Sequence, residues 1–141
     1  MYNKNIKAYK ANNLEADLSV ADPHRVIQLL MQGLLERLAQ AKGAIDRKDF
    51  EAKSQLLSKS MAIVNGLRDS LDLSQGKVAE DLSALYIYMN ERLFIAGKQM
   101  DTSIIDEVAK LVITIKSGWD QIPDSEKNTA YQSKSKKESV A

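Results

Sequence analysis

From residue 23 to residue 122, apolar side chains return every three or four positions and polar ones fill the intervals. That period is helical rather than alternating, so it predicts helices and no strands. Two prolines bracket the stretch. Asp22-Pro23 reads as an N-cap followed by Pro at the first helical position. Ile122-Pro123 reads as the end of the last helix. The first helix is expected over about 23–45, with Ile27, Leu30, Leu34, Leu38, Ala41 and Ile45 inward. The second is expected over about 49–72, opened by Asp49, with Phe50, Leu57, Met61, Val64, Leu67 and Leu71 inward. Asn65-Gly66 would signal a hairpin between alternating segments, but the helical period runs through it and overrules that signal. A loop at 73–76 leads to a third helix over about 77–99, with Val78, Leu82, Leu85, Met89, Leu93 and Ala96 inward. Asp101-Thr102-Ser103 offers several caps, and Ser103 with Asp106 resembles a capping box. The fourth helix is expected over about 103–122, with Ile105, Val108, Val112, Ile115, Trp119 and Ile122 inward.

Four helices of about 20 residues are each about 30 Å long. Short connections make neighbours antiparallel, so the fold class is all-α, an up-down-up-down four-helix bundle. Residues 18–123 make up the bundle. Residues 1–17 form an N-terminal cap segment, in which Tyr2, Ile6 and Tyr9 share one face of a short helix. Residues 124–141, rich in Ser and Lys, are expected to be a disordered tail.

The third helix departs from a simple bundle pattern. Leu85-Tyr86-Ile87-Tyr88-Met89 and Leu93-Phe94-Ile95-Ala96 are apolar around most of the circumference, where a bundle helix needs a stripe of about 100°. Either neighbouring segments cover the excess or a partner does. The candidate partner contacts are Ile87, Tyr88 and Phe94, together with Tyr2, Ile6 and Tyr9. Gly33, Gly66 and Gly97 fall inside helices, where Gly costs about 1 kcal/mol relative to Ala. They mark either close helix packing or a groove with room for a guest backbone.

Composition narrows the function. The chain has 141 residues, 44% hydrophobic and 28% charged, as expected of one globular domain. A net charge of +1 gives no drive toward nucleic acid. No apolar run approaches the roughly 20 residues needed to cross a bilayer, so no membrane insertion is expected. The absence of Cys excludes thiolate chemistry and fits a reducing compartment. The lysines of residues 1–10 are followed by no apolar run of the signal-peptide kind, so a cytoplasmic location is the expectation. His24, the single histidine, cannot supply the Glu-x-x-His pairs of a di-iron bundle or a zinc site. No Gly-x-Ser-x-Gly elbow or phosphate-cradling glycine loop occurs. The expectation is therefore no enzyme, no cofactor and no metal, with His24 exposed in a first helical turn. Two alternatives stand beside a binding protein: a phosphotransfer bundle that uses His24, and a structural homo-oligomer that pairs its surplus apolar face with a second copy.

The run Asn65-Gly66-Leu67-Arg68-Asp69-Ser70-Leu71-Asp72, followed by Val78-Ala79, Leu82, Leu85-Tyr86-Ile87-Tyr88-Met89, Arg92-Leu93 and Ala96, resembles the FliS family of flagellar export chaperones. Asp101, Ile105, Glu107-Val108, Trp119, Tyr2, Tyr9 and Gly33 fit the same pattern, so the resemblance covers about residues 1–120. The chain departs from it at Met31-Gln32, Gly76-Lys77, Asp81 and Gly97. The resemblance implies a chaperone with a small N-terminal cap that binds the C-terminal segment of flagellin in the cytoplasm. It implies that this binding prevents premature polymerisation and ends with delivery to the cytoplasmic part of the flagellar export gate. It also allows an anti-sigma factor or a co-chaperone as partner, and a monomer or weak homodimer when empty.

Overall fold

The structure, a computed structural model, describes residues 22–122. The expectations for residues 1–17 and 124–141, including Tyr2, Ile6 and Tyr9, lie outside the described residues. Four α-helices follow one another: α1 Pro23–Asp46, α2 Phe50–Asp69, α3 Lys77–Gln99 and α4 Thr102–Asp120. A single 3-10 turn, Leu73–Gln75, precedes α3. The helices close a ring: α1 packs on α2, α2 on α3, α3 on α4 and α4 on α1, while the diagonal pairs stay apart. This is the expected antiparallel bundle.

Local chemistry sets the boundaries. Asp22 accepts a hydrogen bond from the Arg25 amide at 2.8 Å, with Pro23 first in the helix. Asp49 caps α2 through the Ala52 amide at 3.1 Å. Helix α2 passes through Asn65-Gly66 and ends at Asp69, short of the expected boundary at 72. There the Asp72 carboxylate instead caps the 3-10 turn, accepting from the Ser74 amide and hydroxyl. Gly76, at φ +96°, then turns the chain into α3, a conformation in which a Cβ would be strained. The Asp101 amide returns to the Ala96 carbonyl at 3.0 Å and closes α3. The cap of α4 is Asp101, which accepts from the Ser103 amide and hydroxyl. The expected Ser103–Asp106 box does not form; Asp106 instead pairs with Lys42 of α1.

The core holds Ile27, Leu34, Leu38 and Ala41 of α1, Leu57, Val64 and Leu67 of α2, Met89, Leu93 and Ala96 of α3, and Ile105, Val108 and Val112 of α4. Each large side chain so buried contributes about 1.5–3 kcal/mol. The sequence reading placed Val78 and Phe50 inward, but they stand 66% and 59% exposed. Ala79 replaces Val78 in the stripe, and Tyr86 is buried where Leu85 is only half-buried. The stripe of α3 therefore runs Ala79, Leu82, Tyr86, Met89, Leu93 and Ala96, rotated at its start from the expected phase.

Candidate functional site

The seam between α2 and α3 is an open apolar groove. One void of ≈ 570 Å³ lies among Met61 and Arg68 of α2 and Ile87, Asn90, Glu91 and Phe94 of α3. A second, of ≈ 250 Å³, continues along the seam among Lys53, Ser54, Leu57 and Ser58 of α2 and Leu93, Gly97 and Lys98 of α3. Met61 and Phe94 border both voids, so the two read as one groove. Phe94 is 64% exposed and Ile87 42% exposed, at the three- and four-residue steps that carry a second face around α3. Large apolar side chains held on rigid helices beside a concave seam suit an apolar helical guest.

Polar contacts fix the depth of this seam. Lys53 Nζ donates to the Gly97 carbonyl at 3.1 Å. Asn90 Nδ2 donates to Asn65 Oδ1 at 2.9 Å and leaves Asn90 Oδ1 buried with no partner among the described residues. At Gly97 an added Cβ would lie 3.0 Å from Leu57 Cδ1, so the helices approach closely there. At Gly66 such a Cβ meets nothing within 4 Å, and at Gly33 it meets only Arg37 of the same helix. Close helix packing is thus a property of Gly97 and not of Gly33 or Gly66.

The structure brings Ile87 and Phe94 together in the groove and places Tyr88 elsewhere. Tyr88 faces α4, where its hydroxyl donates to Glu107 Oε2 at 2.6 Å, and Arg92 Nε donates to Glu107 Oε1 at 2.7 Å. The Tyr88 hydroxyl bond, followed by that of Arg92, holds the Glu107 carboxyl below the usual carboxylate range. The same bond to Glu107 pushes the Tyr88 hydroxyl up.

His24 overturns its expectation. It is 3% exposed, not solvent-facing. Its ring stacks on Trp119 with centroids 4.8 Å apart. Nε2 donates to the Trp119 carbonyl at 2.7 Å, since a carbonyl only accepts, and Trp119 Nε1 donates back to the His24 carbonyl at 3.0 Å. The Asp120 carboxyl beside it is held low by Lys116 and, less strongly, by Gln28. Among the described residues no group of His, Cys, Asp or Glu has the arrangement of a metal site, and no helix is long and apolar enough to cross a membrane.

The model of the family described as flagellar protein FliS matches residues 5–126, most of the chain. The chain belongs to the FliS family. It is 49% identical over 120 residues to the flagellar secretion chaperone FliSB of Pseudomonas aeruginosa, covering 84% of this chain and 95% of that one. It is 36% identical over 119 residues to the FliS of Vibrio cholerae, covering 84% and 88%. It is 38% identical over 119 residues to that of Salmonella typhimurium, covering 83% and 88%. Membership makes the chain a flagellar export chaperone.

The sequence reading missed the groove's polar ends, Lys53, Lys98, Arg68 and Glu91. Leu57 and Met61, both assigned to the inward stripe of α2, also line the groove, so that stripe borders the core and the open seam together.

Proposed function

We propose that this chain binds the C-terminal segment of flagellin in the cytoplasm, keeps it from polymerising and hands it to the export apparatus. The observation that carries this reading is the apolar α2–α3 groove, with Phe94 and Ile87 exposed beside it, on a chain of the FliS family. An unfolded guest segment laid into such a groove as an amphipathic helix buries the faces through which it would otherwise self-associate. Coupled folding and binding of this kind buries on the order of 1,000–3,000 Å² and gives a large negative heat-capacity change. The work is binding rather than catalysis. Ile87 and Phe94 are the groove's contacts to the guest, and residues 1–17 would be a displaceable cover for it.

The phosphotransfer alternative loses its support in the burial of His24 and the engagement of its Nε2 by the Trp119 carbonyl. The homo-oligomer alternative predicts that the empty protein self-associates through the groove, whereas a chaperone is a monomer or weak dimer. Calorimetric titration at three temperatures, with whole flagellin and with flagellin lacking its C-terminal segment, tests the proposal. The expected result is 1:1 binding to the whole protein with a negative heat-capacity change and loss of binding on truncation. Equal binding of both overturns it.

A further inference from the structure

The two ends of the groove differ in charge. At the α2 start and α3 end, the lining holds Lys53 and Lys98 with Ser54 and Ser58 and no carboxylate. At the other end, Arg68 is balanced by Glu91. Neither Lys53 nor Lys98 joins an ion pair among the described residues; the pairs there are made by Lys42, Lys77, Arg92 and Lys116. The bond from Lys53 Nζ to the Gly97 carbonyl holds one ammonium at the seam and leaves its remaining N–H donors for a ligand. Lys98 stands exposed one residue further along α3.

Resting on the flagellin reading above, we propose that the groove takes the last turns of the guest as a helix whose free terminal carboxylate sits at Lys53 and Lys98. The guest then runs parallel to α3 and antiparallel to α2. Along α2 the distance from Lys53 to Arg68 is about 22 Å, room for about 15 helical residues. The C-terminal end of a helix carries roughly half a negative charge, and a free carboxylate adds a full one. The reverse orientation would set the positive end of the guest helix against two ammonium groups, with no carboxylate in the lining to offset them. Apolar contact with Met61, Phe94 and Ile87 supplies affinity in either direction, so the lysines select the direction. Such charge-assisted bonds at a partly desolvated seam outweigh their neutral counterparts.

The experiment uses the full chain and three synthetic peptides of the guest's last ~20 residues: one with a free carboxylate, one amidated, and one extended by two alanines. Affinity is measured at low and at high salt. Amidation and extension should each weaken binding by about 5-fold at low salt, the scale of one partly exposed ion pair, and by less at high salt. Lys98→Gln, at an exposed position that does not threaten folding, should weaken the free acid by a similar factor and leave the amide unchanged. A photo-crosslinker at the peptide's last residue should capture the first two turns of α2. Equal affinity of acid and amide, or crosslinks to the Arg68 end, would overturn the orientation while leaving the flagellin reading standing. Failure of all three peptides to bind would overturn both.

Discussion

The α1–α4 seam and the α2–α3 seam lie on opposite sides of the same ring, and they are held together by different means. Across α1–α4, His24 and Trp119 exchange two hydrogen bonds between side chain and backbone and stack their rings. Gln28 and Lys116 converge on Asp120 beside them. A shallow void of ≈ 350 Å³ remains next to Ile113 and Leu35, and Lys116, Ser117, Asp120 and Gln121 share its lining. Across α2–α3, Lys53 and Asn90 bond directly from one helix to the other, and the apolar groove lies open beside them. One seam spends its aromatic side chain on stability, and the other leaves an aromatic side chain in solvent. If the α2–α3 groove holds a guest as proposed, that division lets the bundle stay folded while the guest comes and goes.

The strongest test of the division removes the clasp. Trp119→Ala deletes a large buried ring and leaves the His24 carbonyl without its indole donor. The expected cost is about 3–5 kcal/mol, a fall of roughly 15–25 °C in melting temperature for a domain of this size. At temperatures where the variant is still folded, its affinity for the flagellin segment should be close to that of the parent. Thermal denaturation and a titration at 10 °C read the two effects separately. A variant that keeps its stability and loses the guest would exchange the roles assigned to the two seams.

The converse substitution is Phe94→Ala. Its side chain is largely exposed, so the melting temperature should move by no more than a few degrees. Guest binding should weaken by about 10- to 100-fold, as at a central aromatic anchor. Leu93→Ala, one residue away and fully buried, should do the opposite, costing about 2–5 kcal/mol of stability. Tyr88→Ala sharpens the comparison, because Tyr88 is tied to Glu107 on the α4 side. A loss of affinity equal to that of Phe94→Ala would mean that the guest crosses α3 onto α4.

Much of the bundle was legible in the sequence because helical period and capping are local. Asp22, Asp49 and Gly76 announce their boundaries within a few residues of themselves. The phase of α3 was not legible at its start. With Val78, Ala79, Leu85, Tyr86 and Ile87 all apolar, two stripes satisfy the same spacing, and close packing around the small Ala79 selects between them. His24 was misread for a different reason: its partner lies 95 residues away, and nothing near position 24 reports it. The groove was visible as surplus apolar surface on α3, and the structure assigns Ile87 and Phe94 to it and Tyr88 to α4. Its width depends on how closely α2 and α3 approach at Gly97, which is a tertiary quantity.

The glycines give a smaller test of the same seam. Gly66 lies inside α2 with open space where a Cβ would go, so Gly66→Ala should stabilise the protein by about 0.5–1 kcal/mol. The melting temperature should rise by roughly 3–6 °C. Gly97→Ala gains the same helix propensity but presses on Leu57 Cδ1 at 3.0 Å, and the two effects should roughly cancel. A clear stabilisation by Gly97→Ala would show that Leu57 yields and that the groove floor is softer than its packing suggests. A destabilised Gly66→Ala would mean that α2 needs flexibility at that point.

The smallest effect should come from the Tyr88–Glu107–Arg92 cluster, which ties α3 to α4 in solvent. The Glu107 carboxyl is held below its ordinary value of 4.5 by its bonds from Tyr88 and Arg92. A carboxyl whose pKa is lower in the folded chain stabilises the fold fully above 4.5 and loses that contribution as pH falls through the folded value. The Tyr88 hydroxyl is held above its ordinary value of 10.0, chiefly by its bond to Glu107. Its contribution is whole below 10.0 and is lost as pH rises through the higher folded value. The cluster should therefore be intact from about pH 6 to about pH 9 and weaken on both sides. Glu107→Gln removes the charge that both partners answer to. Its melting temperature should lie a few degrees at most below that of the parent across that plateau, because exposed pairs are weak and screened. Below pH 4.5 the two curves should converge, as the parent protonates Glu107 and the variant has nothing there to protonate. Melting curves of both proteins from pH 3 to pH 8 read this directly, and two curves that fall in parallel through the acid range would show that Glu107 is not held by its neighbours.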